Sequence, residues 1–132
     1  MTRPCDKAVA AGRMRKANQF LDAAETVGDL ADDEAEVRDA VVTLLVHAGI
    51  AAADVICCKA LGQHAIGGGS HDEAVRLLAR VQQPDGKELS KRLGQLLGLK
   101  TKAGYTHRSV SATDRKTAKR AAENLVQAAR DL

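Results

Sequence analysis

The chain has 132 residues, a formal net charge of +3, 45% hydrophobic residues and only two aromatics, Phe20 and Tyr105. That length suits one domain with a single core, residues 1–132, and excludes two independent cores. The core must be aliphatic, rich in the helix formers alanine and leucine, and with prolines only at Pro4 and Pro84 nothing between them forbids long helices.

Residues 6–27 read as a first helix, with Val9, Met14, Ala17, Leu21, Ala24 and Val27 on one apolar stripe and Gly28 as its stop. Asp32 and Asp33 then stand where a helix N-terminus favours carboxylates, with Glu36 in capping-box range. The longest helix, 33–63, presents Val37, Val41, Leu44, Leu45, Ala48, Ala52, Val55 and Ile56. Gly49 costs that helix about 1 kcal/mol relative to alanine, which predicts close packing or a slight bend there. Gly67-Gly68-Gly69 breaks it, and Ser70 with Glu73 forms an S-x-x-E box for a third helix at 71–82.

Gln83-Pro84-Asp85-Gly86 reads as a turn in which proline presets one φ and glycine permits a positive one. A short helix at 87–98 follows, carrying Leu89, Leu93, Leu96 and Leu97, and then a polar loop from Leu99 to Arg108. Ser111-Ala112-Thr113-Asp114 opens the final helix, which turns Ala118, Ala121, Ala122, Leu125, Val126 and Ala129 inward. Almost no stretch alternates like a strand. The expected class is all-α, an antiparallel four-helix bundle with a short extra helix before the last.

No uninterrupted apolar run reaches the roughly 20 residues of a membrane span, and Met1-Thr2-Arg3-Pro4-Cys5-Asp6 contains no apolar signal region. Three cysteines, two of them adjacent at Cys57-Cys58, make no disulfide framework. The expected location is the cytoplasm, with no membrane partner.

The modest net charge hides a segregation. Residues 21–54 hold nine Asp/Glu against Arg38, a balance of −8, whereas 87–132 hold eleven Lys/Arg against four acids, a balance of +7. Either the two halves meet within the protein, or the basic one faces phosphates. Lys100, Lys102, Arg108, Arg115, Lys116, Lys119 and Arg120 are the candidate nucleic-acid-binding set. Like charges repel at 115/119 and 116/120, one helical turn apart, and a polyanion would relieve them.

Two other constellations end in structural readings. Cys57, Cys58, His64 and His71 lack the paired spacing of a zinc site, so no metal is expected. His47, Asp54 and Cys58 fall near one helix face, where a satisfied polar pair is the expected role.

Ala53-Asp54, Lys59-Ala60-Leu61, His71-Asp72 and Leu77-Leu78 together resemble the helix-turn-helix centre of the HEPN family. In those small all-α domains an A-[ED]-x-x-x-x-K-A-L helix runs into a loop, and a His-Asp pair opens a helix with paired leucines. The resemblance implies a homodimer working beside nucleic acid in toxin–antitoxin, defence or stress systems. It binds RNA or a nucleotide and acts with a partner protein such as an antitoxin or nucleotidyltransferase. In the RNA-cleaving branch an Arg-x4-6-His motif faces its copy across the dimer and works without metal or other cofactor. Here Lys102-Ala-Gly-Tyr-Thr-His107 has that spacing with lysine in place of arginine, which makes Lys102 and His107 the candidate catalytic pair. In the noncatalytic branch the module is a helical adaptor, and an aromatic, here Tyr105, closes a basic loop by packing on the helices.

Overall fold

The computed structural model describes residues 1–66 and 71–132, and of His71 the backbone only. Gly67-Gly68-Gly69 and the Ser70 cap lie outside the described residues, but the long helix ends before them, at Leu61, so the expectation that the glycine triplet ends it is corrected. Helix α1 (Lys7–Leu30) opens on Asp6, whose Oδ1 accepts from the Val9 N–H at 2.9 Å. That bond satisfies one of the amides every helix start leaves unpaired. The helix passes through Gly28 and ends at Leu30. A lone glycine costs only about 1 kcal/mol, and Val27 stays packed on the core, so the expected stop does not operate.

Helix α2 (Glu34–Leu61) starts as expected at Asp33, whose carboxylate accepts from Ala35 N–H at 3.0 Å. It ends at Gly62, with φ +70°, where the Gly62 N–H closes onto the Cys58 carbonyl at 3.0 Å. Two short strands, β1 (Thr2–Pro4) and β2 (Gln63–Ala65), pair antiparallel with Arg3 opposite His64. This ribbon carries the N-terminus back to the end of α2, where Cys5 and Cys58 form a disulfide with their Cα atoms 5.7 Å apart. The expectation of no disulfide is thereby corrected. The two residues are 53 apart in sequence, and their meeting depends on a strand pairing with no signal in hydrophobic alternation.

Helix α3 (His71–Ala79) is the short one, and α4 (Gly86–Tyr105) is long, contrary to the expected order. Asp85 caps α4 by accepting from the Glu88 N–H at 3.3 Å. Gly86 takes no positive φ. It is needed because a Cβ there would run into the carbonyls of Leu78 and Val81. Leu99 to Tyr105 belong to α4 rather than to a loop: Leu99 and Ala103 extend the Leu96 stripe at helical spacing and pack on the core. Helix α5 (Ala112–Arg130) opens on the expected capping box, Ser111 and Asp114 exchanging bonds at 3.0 Å each.

α2 lies at the centre, in contact with α1, α4 and α5, while α3 packs chiefly on α4. Leu45, Ile56, Leu78, Leu93, Leu96 and Leu125 are fully buried in one aliphatic core. Gly49 confirms the close packing expected of it: a Cβ would meet the Leu96 side chain and come within 3.3 Å of Leu125 Cδ1. By length and composition α2 could cross a membrane. A search for unbroken apolar runs passes over it because His47 and Asp54 interrupt the run. Its apolar surface is mostly buried against its own neighbours.

Candidate nucleic-acid interface

The predicted basic residues lie on the last turns of α4, on the connection after it and on the first half of α5. Val110 anchors the connection: it is buried, its N–H donates to Asp39 Oδ1 at 2.8 Å, and its carbonyl accepts from Arg38 at 3.4 Å. Thr106 shapes the turn, its hydroxyl donating to the Lys102 carbonyl at 3.1 Å and accepting from the Arg108 N–H at 3.2 Å. Lys102 Nζ stands 3.6 Å from Asp114 Oδ2 and so ties the last turn of α4 to the first turn of α5. The Asp114 carboxyl is held below its usual range chiefly by the Ser111 backbone N–H, with Lys102 adding to it.

The structure divides the predicted set by what each cation meets. Arg115 reaches Glu34 at 3.4 Å, and Lys119 reaches Glu123 at 3.9 Å. Both also line a groove with Glu25 and Asp29 of α1, so this side of α5 meets the acidic half of the chain. Glu34 also pairs with Arg38 at 2.7 Å; Arg38, more than Arg115, holds that carboxyl below its ordinary value. Among the described residues Lys100, Arg108, Lys116 and Arg120 form no ion pair. Lys116 and Arg120 are exposed, one turn apart on α5. One side of α5 therefore meets the acidic half of the chain, whereas Lys116 and Arg120 form no ion pair among the described residues.

His107 is exposed in the connection and makes no hydrogen bond or ion pair among the described residues. No hydrogen bond joins it to Lys102, whose ammonium is engaged with Asp114. Tyr105 is 77% exposed at the end of α4. The expectation that it closes a loop by packing on the helices is corrected: the helix continues to that residue and turns its ring outward.

Sequence reasoning missed a second feature. Thr43, Val46 and His47 of α2 and Lys100, Gly104 and Tyr105 of α4 line a crevice of about 140 Å³. His47 lies against Phe20, ring centroids 5.4 Å apart. Partial burial, then the charges of Lys100 and Arg13, lower its imidazole below the ordinary value. The only sequence signal was a histidine in an apolar helix, which pointed to Asp54. Asp54 instead binds Arg13 at 2.8 Å, so the expected His47–Asp54 pair is replaced by an Arg13–Asp54 pair, and Cys58 is in the disulfide.

Three of the four residues weighed for zinc have other surroundings. His64 bonds the Ala65 carbonyl at 3.0 Å, Cys58 is oxidised, and burial pushes the Cys57 thiol up to about 12. Among the described residues no cluster of three or more His, Cys, Asp or Glu could hold a metal ion. No family model matches the chain, and no curated protein matches it.

Proposed function

We propose that this protein is a HEPN-like four-helix-bundle protein of a toxin–antitoxin, defence or stress system, and that it binds RNA or a nucleotide through the junction of α4 and α5. The observation that carries the reading is that Lys100, Arg108, Lys116 and Arg120 form no ion pair among the described residues, with the exposed His107 and Tyr105 in the same stretch of chain. Phosphates would neutralise these charges and release the counterions of the nucleic acid. One exposed aromatic offers one stacking surface, which suits binding with little sequence preference. In this proposal the protein pairs with itself and acts with a partner protein such as an antitoxin or nucleotidyltransferase. Fluorescence anisotropy with a labelled single-stranded RNA tests it. Lys116→Glu with Arg120→Glu should weaken binding at least tenfold, and unchanged affinity would exclude this face.

One observation favours a second reading, a noncatalytic helical adaptor. The Lys102 ammonium is already occupied by Asp114, leaving His107 without the charge stabiliser that metal-free RNA cleavage needs. Cleavage by the wild-type protein that survives EDTA and is lost in His107→Ala would restore the catalytic pair.

A further inference from the structure

We infer that the crevice between α2 and the last turns of α4 is a binding site for a phosphoryl group, held by Lys100 and His47. It rests on the nucleic-acid reading only for the source of that group. Its lining has a definite chemistry. Lys100, a partly buried residue, supplies an ammonium with no carboxylate partner among the described residues. His47 contributes an imidazole on the facing helix, and Thr43 and Tyr105 complete the polar part of the lining. The Thr43 hydroxyl donates to the Asp39 carbonyl at 2.8 Å, which leaves its oxygen lone pairs available and not its proton. Val46 gives the wall an apolar section. No carboxylate lines the opening.

Its size excludes both extremes. About 140 Å³ is roughly ten times the space one ordered water occupies, and smaller than a drug-sized pocket. A tetrahedral phosphoryl group with a few waters fits it, and Tyr105, in the lining and 77% exposed, offers a ring to an attached base.

The electrostatics agree with that geometry. The groups acting on His47 are Lys100 and Tyr105 on α4, and Phe20 and Arg13 on α1, with Arg13 already paired to Asp54. Lys100 and Arg13 both disfavour the protonated form of His47, an exposed imidazole lying against the Phe20 ring. A bound phosphate supplies the missing negative charge, and His47 takes up a proton as it binds. Binding is therefore tighter as pH falls toward the imidazole range.

NMR of the four histidine rings in the full chain tests this directly, with His47 assigned by His47→Gln. Inorganic phosphate and 5′-AMP are the first probes, then a short oligoribonucleotide with a 5′-phosphate against the same oligomer with a 5′-hydroxyl. The expected result is a rise of about one unit in the His47 midpoint with phosphate or AMP. Lys100→Ala should weaken that binding about tenfold and diminish the rise, while Lys91→Ala on the same helix should do neither. A response to AMP but not to the phosphorylated oligomer identifies a free nucleotide as the source, and a response to both admits an RNA end. No change at His47 with any probe, or equal changes at His64 and His107, would overturn the site. RNA binding with an unresponsive His47 would remove the crevice and leave the basic face standing. A responsive His47 without RNA binding would do the reverse.

Discussion

Asp54 sits on the central helix with 15% of its side chain exposed, and Arg13 reaches it from α1 at 2.8 Å. Burial raises its carboxyl above the usual aspartate range, and the Arg13 charge offsets part of that rise. The folded chain thus holds this proton more tightly than the unfolded one. Its contribution to stability is complete below the ordinary aspartate value and fades as pH rises through the folded midpoint. Arg13→Ala should therefore cost about 2 kcal/mol near neutral pH, by stranding a half-desolvated carboxylate. The cost should shrink in acid, where Asp54 is neutral. Urea unfolding at two pH values measures this, and an equal loss at both would contradict it. The cysteines give a second residue-scale prediction. Unfolded but unreduced protein should titrate one thiol, Cys57, and reduced protein all three. The Cys5–Cys58 bond closes a separation of 53 residues, worth about 4 kcal/mol in the chain-entropy account, so reduction should lower the melting temperature.

At the scale of elements, Gly49 decides how closely α2 approaches α4 and α5. Alanine there would gain about 1 kcal/mol of helix propensity but press a methyl group into Leu96 and Leu125, both fully buried. Overpacking of that kind costs about 1–3 kcal/mol, so Gly49→Ala should destabilise on balance, and a gain in the denaturation midpoint would contradict the packing. Features that depend on local chemistry were legible in the sequence: the helical class, the Asp33 and Ser111 caps and the tightness at Gly49. The extension of α4 was partly legible, because Leu99 and Ala103 continue the Leu96 stripe, but the polar residues between them suggest a loop. The β1–β2 ribbon and its disulfide were not legible, since both arise from where distant segments meet. The same holds for the crevice, because nothing in the sequence brings His47 to Lys100.

For the whole molecule, the position of α2 changes what its composition means. Ala48, Ala51, Ala52, Ala53, Val55 and Ile56 are all buried within one chain, so the small residues of α2 need no second chain to cover them. The proposed homodimer then rests on the family resemblance. Charge segregation is likewise resolved in part internally, through Arg115 and Glu34, and what remains is Lys100, Arg108, Lys116 and Arg120, which form no ion pair among the described residues. The most direct test of the central claim is the affinity for single-stranded RNA measured across salt concentration. Four unpaired cations predict a slope of log K against log salt of about −3, reduced toward −1 to −2 by Lys116→Glu with Arg120→Glu. A slope near zero, or no binding at low salt, would contradict a phosphate-binding role.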